Sequence, residues 1–125
     1  MTTSGKNILI IEDDEFLLSL AVTKLQKAGY DVESAKDGED GIKKLAETKP
    51  DLLILDLMLP HIDGFEILKQ IKSDTKFAGM RIVVFSNLGS DEDISKATKL
   101  GANDYMVKSS FTLDELVAKI DEHLK

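Results

Sequence analysis

Short segments of this 125-residue chain carry side chains able to do chemistry, and each follows an apolar run. Glu12, Asp13, Asp14 and Glu15 come after Asn7 to Ile11. Asp56 comes after Asp51 to Leu55. Ser86 and Asn87 follow Arg81 to Phe85, and Lys108 follows Asp104 to Val107. Asp14 has the ordinary task of capping the helix behind it, but a cap does not explain four successive acids. Packed like charges repel and raise each other's proton affinity unless a cation neutralises them. Mg²⁺, a hard cation that takes oxygen ligands and keeps waters, suits such a set. Opposite those acids, Lys108 becomes a partner for a phosphate or carboxylate. The Ser86 hydroxyl could donate to a phosphoryl oxygen.

The elements that must position these residues are legible. The apolar runs Asn7–Ile11, Tyr30–Ala35, Asp51–Leu55, Arg81–Phe85 and Asp104–Val107 predict strands, and continuous runs of this kind suit a parallel sheet buried on both faces. Helical patterns lie between them. The first spans about Asp14 to Ala28 and stops at Gly29. The second follows Asp37 and ends before Pro50. The third starts at Asp63, which with Glu66 resembles a capping box. The fourth starts at Ser90 and stops at Gly101. The fifth opens on Thr112 and Glu115, a second capping box, and presents Leu113, Leu116, Val117, Ile120 and Leu124 at helical spacing. Ser73 to Gly79 reads as the longest irregular stretch. Strict strand–helix alternation predicts an α/β fold, a five-stranded parallel sheet with helices on both faces. In such sheets sites form beyond the carboxyl ends of the strands, where all the residues above fall.

Composition narrows the function. The length suits one domain, 1–125, with residues 1–5 expected as a flexible tail. The chain has no Cys, which excludes disulfides, thiol catalysis and Cys-ligated zinc. No apolar run is long enough to span a membrane, and the start lacks a signal-peptide pattern, so a cytoplasmic protein is expected. A net charge of −7 argues against direct nucleic-acid binding and fits a metal or a basic partner. His61 and His123 sit in no phosphotransfer context and receive no role.

Taken together, these residues resemble the bacterial two-component response-regulator receiver domain, the CheY-like family. The resemblance rests on Ile10-Ile11-Glu12-Asp13-Asp14, on Asp56-Leu57-Met58-Leu59-Pro60 followed by Asp63-Gly64, on Val83-Val84-Phe85-Ser86, and on Gly101-Ala102 with Tyr105 through Lys108. It covers nearly the whole chain. It implies the doubly wound strand order 2-1-3-4-5 and a signalling switch rather than an enzyme. By position, Asp56 resembles the phosphoacceptor, taking its phosphoryl group from a histidine kinase or phosphotransfer protein. Asp13, Asp56 and the Met58 backbone carbonyl resemble Mg²⁺ ligands, with Glu12 acting through water. Ser86 resembles the switch hydroxyl, Lys108 the lysine that pairs with the phosphoryl group, and Tyr105 the aromatic that moves from exposed to buried. The output face would join the fourth helix, fifth strand and fifth helix, including Ile94, Lys96, Asn103, Tyr105 and Lys119, and would bind a protein target or a second copy.

Two departures matter. Ser109 stands where the family usually has proline, and a cis bond without proline costs about 2.5–4 kcal/mol. Whether the Lys108–Ser109 peptide is cis or trans is left open. Asn87 stands where a smaller residue is common and narrows access to the phosphoryl site. Among other readings, a Mg²⁺-dependent phosphatase of related fold would need its nucleophile after the first strand and an inserted cap. A flavodoxin-like protein would need a hydroxyl- and Gly-rich loop where this chain puts acids. A receiver-like scaffold that takes no phosphate would not need the complete set of site residues.

Overall fold

The computed structural model describes residues 5–125; of the expected N-terminal tail only Gly5 falls within it. The strands are β1 (Asn7–Ile11), β2 (Asp31–Ala35), β3 (Leu52–Leu55), β4 (Arg81–Ser86) and β5 (Asp104–Val107). The helices are α1 (Glu15–Lys27), α2 (Gly38–Thr48), α3 (Gly64–Lys72), α4 (Asp91–Lys99) and α5 (Leu113–Leu124). All strand pairings are parallel, in the order β2-β1-β3-β4-β5. This is the fold the alternation and the resemblance predict.

Side-chain alternation along the strands builds two cores. Ile8 and Ile10 of β1 and Leu52 and Ile54 of β3 pack with Leu18, Ala21 and Leu25 of α1 and Leu116 and Ile120 of α5. Leu9, Ile11, Leu53 and Leu55 point the other way, against Leu45 of α2, Ile67, Leu68 and Ile71 of α3, and Ala97 of α4. A strand covered on both faces needs apolar residues at every position, which is why β1 and β3 read as unbroken runs. Edge strand β2 is covered less and alternates.

Helix ends follow the predicted signals closely. The carboxylate of Asp14 accepts from Phe16 N and Leu17 N, both at 3.1 Å. Ser90 caps α4 through Asp93 N at 3.1 Å. Thr112 and Glu115 form the full reciprocal box. Asp63 makes only half of one: it accepts from Glu66 N at 3.0 Å, while Glu66 Oε2 faces Gln70 Nε2 at 3.5 Å. Gly29 and Gly101 follow α1 and α4 at φ 100° and 106°. Helix α2 stops instead on Lys49, left-handed at φ 44°, directly before Pro50. The stretch 73–79 is not wholly irregular, because Asp74 caps a 3₁₀ turn at Thr75–Phe77. Tyr30 lies outside β2; its ring enters the α1–α5 core and its hydroxyl donates to Asp121 on α5. Among the described residues, no helix is long and apolar enough to cross a membrane.

Candidate functional site

The central strands β1 and β3 end side by side, and the next residue of each is a buried acid. Asp56 N donates to Ile11 O at 3.1 Å, continuing the ladder one step beyond β3. Glu12 is 2 % exposed and Asp56 4 %. Lys108, next after β5, extends its ammonium between them, 2.6 Å from Glu12 Oε1 and 2.9 Å from Asp56 Oδ2. Glu12 Oε2 accepts from Asp14 N at 3.0 Å, and Asp56 Oδ1 from Met58 N at 3.0 Å. Each buried carboxylate thus has both a cation and a main-chain donor.

The site still carries excess negative charge. Ligand oxygens of Glu12, Asp13 and Asp56 lie within 4.8 Å of one another, and Asp13 is exposed. Three carboxylates face one ammonium. Burial pushes Glu12 above its ordinary range, against the lowering pull of its bond to Lys108. Burial alone would lower Lys108, but hydrogen bonds to Glu12 and Asp56 and their charges more than reverse that, so it is held cationic. An all-oxygen donor set with unneutralised charge is what a hard divalent cation requires. The trio therefore fits Mg²⁺.

The approach of α3 depends on Gly64. A Cβ there would stand 2.6 Å from Leu57 Cα and 2.7 Å from Asp56 O. Only glycine lets the start of α3 pack this tightly against the backbone leaving Asp56. The Met58 side chain is 53 % exposed, and its backbone is tied to Asp56 through the amide.

Ser86, the last residue of β4, is fully buried, and its Oγ accepts from Leu88 N at 3.3 Å. Asn87 is exposed and, among the described residues, bonds to none of the site side chains. Tyr105 corrects an expectation. Its ring is half-buried rather than exposed, and its hydroxyl donates to Leu88 O at 2.6 Å. Burial first, then the charges of Asp93 and Asp56, pushes that phenol up to about 12. Leu88 thus joins Ser86 and Tyr105 through the amide and the carbonyl of one residue. No sequence signal marks it, because it acts through its backbone.

The predicted output face also needs correction. Lys96 lies on the opposite flank of α4, its ammonium 4.2 Å from the centre of the Phe65 ring on α3. Asn103 is spent on the sheet, accepting from Ile82 N at 2.7 Å. What the α5 side presents instead is Asp104, facing His123 Nε2 at 3.0 Å and Lys119 Nζ at 3.8 Å. His123, given no role from sequence, is thereby a packing partner of β5. The Lys108–Ser109 peptide is trans, and Lys108–Ser110 forms a 3₁₀ turn leading into α5.

This arrangement defines a class of protein. The chain matches the response regulator receiver domain family over residues 8–121 and belongs to it. It is 37% identical over 123 residues to the alkaline phosphatase synthesis transcriptional regulatory protein PhoP of Bacillus subtilis, covering 97% of this chain and 49% of that protein. The chain thus spans about half the length of this and similar curated relatives. Protein PilG of Pseudomonas aeruginosa is 30% identical over 122 residues, covering 98% of this chain and 90% of its own length. Among solved structures, the BeF3-activated receiver domain of Klebsiella pneumoniae RstA superposes with a TM-score of 0.86 at 30% identity, covering 95% of this chain and 98% of that one. The family functions as the phosphorylation-controlled switch of two-component systems, so neither the phosphatase nor the scaffold reading is favoured.

Proposed function

We propose that Asp56 accepts a phosphoryl group from a histidine kinase or phosphotransfer protein and that the chain signals through the resulting change of surface. The observation that carries this reading is the buried Asp56 carboxylate, aligned by Met58 N through Oδ1 and by Lys108 through Oδ2. An Asp56 oxygen attacks phosphorus and the bond to the donor's leaving group breaks, giving an acyl phosphate on Asp56. The transferring group carries spread negative charge, so positioned cations supply most of the rate. Lys108 is one such cation, already desolvated and already in place. Glu12, Asp13, Asp56 and the Met58 carbonyl would hold Mg²⁺, Glu12 through water. When bound, that ion would supply further neutralisation of phosphoryl charge; the acyl phosphate on Asp56 is lost slowly to water.

Transmission runs through Leu88. A phosphoryl group brings strong acceptor oxygens, and the Ser86 hydroxyl is free to donate to them. Turning Ser86 toward them weakens its bond from Leu88 N, and the same residue's carbonyl holds Tyr105. Movement at Asp56 therefore reaches the face of α4, β5 and α5, where a target protein or a second copy would bind. Asn87, exposed beside Ser86, limits access to the phosphoryl group. Residues 1–125 act in this reading as one cytoplasmic receiver domain that itself makes no contact with nucleic acid.

The test is intact-mass measurement after incubation with acetyl phosphate and Mg²⁺. One base-labile phosphoryl group should appear on the wild type and none on Asp56→Asn. Asp13→Ala should weaken Mg²⁺ binding and labelling together. Equal labelling of wild type and Asp56→Asn would overturn the assignment.

A further inference from the structure

Helices α3 and α4 leave a shallow groove of about 600 Å³ between them, lined by Lys69, Glu92, Ser95, Lys96, Lys99 and Leu100, with Asp91 at its end. It lies away from the acidic site and from the α5 flank of α4. Its charge runs against the molecule. The chain carries a net −7, yet this groove gathers lysines from two helices. Several lysines elsewhere find acids: Lys24 reaches Asp114, Lys36 Glu15, Lys44 Asp40 and Lys119 Asp104, while among the described residues Lys27, Lys43 and Lys49 reach none. What sets the groove apart is that its lysines come together from two facing helices. Among the described residues, Lys69, Lys72, Lys96 and Lys99 pair with no carboxylate.

The helix dipoles favour basic residues in the last turns of α3 and α4. They do not explain side chains turned toward the neighbouring helix. Lys96 lays its ammonium over the half-buried Phe65 ring of α3 at 4.2 Å. Lys72 crosses the other way and donates to Lys99 O at 2.7 Å. The Lys96 and Lys69 stems and Leu100 thus give the groove apolar walls beneath a basic rim, with Phe65 underlying the Lys96 ammonium.

We infer that the α3–α4 groove is a docking site for an acidic peptide segment of a partner protein, one carrying an apolar side chain among its carboxylates. The apolar side chain seats against Leu100 and the lysine stems while the carboxylates meet Lys69, Lys96 and Lys99. The charge pattern selects a peptide over a nucleic acid. Asp91 and Glu92 close the amino end of α4, so a uniform polyanion is repelled there, whereas a peptide can put a basic residue opposite them. The inference does not depend on phosphorylation of Asp56.

The probe is a short fluorescein-labelled peptide alternating glutamate with leucine and ending in one lysine, titrated into the whole chain at low salt. Amide shifts should move at Phe65, Lys69, Lys96, Lys99 and Leu100 and stay still along α1. The double variant Lys69→Glu/Lys96→Glu should bind about tenfold or more weakly, as expected for reversing rim charges at low ionic strength. Lys43→Glu/Lys49→Glu, an equal charge change on and after α2 at residues that do not line the groove, should weaken binding clearly less than the groove variant does. An unchanged urea unfolding midpoint and circular dichroism spectrum in both variants verify that they fold. The inference is overturned if the peptide does not bind or shifts other residues. It is equally overturned if both double variants weaken binding alike, or if a single-stranded oligonucleotide of equal charge binds as tightly.

Discussion

Lys108 and Lys36 hold carboxylates at nearly the same distance, 2.6 Å to Glu12 and 2.8 Å to Glu15, and the two acids respond in opposite directions. The Lys36 side chain is 63 % exposed and that of Glu15 74 %; for Lys108 and Glu12 the figures are 13 % and 3 %. Glu15 is drawn below its ordinary range by the hydrogen bond to Lys36. Glu12 is pushed above its range because burial outweighs the same kind of bond. Proximity to a lysine does not decide what a carboxylate does; the water it has lost does. At the carboxyl edge of β1 and β3 the chain keeps negative charge that its own lysine does not fully neutralise. Such charge is useful where a divalent cation is to bind.

The comparison breaks most visibly at Lys108. Lys108→Met leaves Glu12 and Asp56 buried together with no cation, and losing one partner of such a pair costs about 3–5 kcal/mol. Urea unfolding should register that loss at neutral pH and a smaller one in acid, where the carboxylates protonate. Lys36→Met should not shift the midpoint measurably. A mild effect of Lys108→Met at every pH would show that the buried acids are already neutral.

The two tyrosines sharpen the contrast between structural and switching contacts. Burial first raises Tyr30, then its bond to Asp121; burial and acid charges raise Tyr105; both phenols are pushed up to about 12. A phenol raised in the folded state binds its proton more tightly there. Native stability is therefore lost as pH climbs from 10 toward 12. The chain has 2 Tyr, so Tyr30→Phe and Tyr105→Phe each leave one phenolate absorbance to follow. Each substitution should cost about 1 kcal/mol, the usual net worth of one hydrogen bond. Only Tyr105→Phe should speed amide exchange around Leu88. Phenol titration near 10 in either variant would count against the burial described here.

The smallest effects are the pH slopes of Glu12 and Glu15, measured in EDTA. Glu12 is raised, so its contribution is favourable in acid and declines as pH rises above 4.5. Glu15 is lowered, so its contribution is present above 4.5 and lost as pH falls through its folded value. Glu12→Gln should flatten the decline on the alkaline side of 4.5, and Glu15→Gln should remove a gain. Slopes of the same sign for the two variants would erase the distinction.

Unbroken apolar runs in Asn7–Ile11 and Leu52–Leu55, with capping residues at Asp14, Ser90 and Thr112, determined by themselves the alternation of strand and helix. Those signals are local: they depend on side-chain period and on nearby main-chain donors. The convergence of Glu12, Asp56 and Lys108 was legible too, because in a parallel sheet every strand ends at the same edge. Tertiary structure alone decided the rest. The tether from Tyr105 to Leu88 and the bond from Lys72 to Lys99 each end on a backbone carbonyl, which has no sequence signature. Lys96 could face either flank of α4 until Phe65 from α3 arrived beside it. The opposite responses of Glu12 and Glu15 come from burial, which belongs to the packed molecule; in the sequence they are two acids three positions apart.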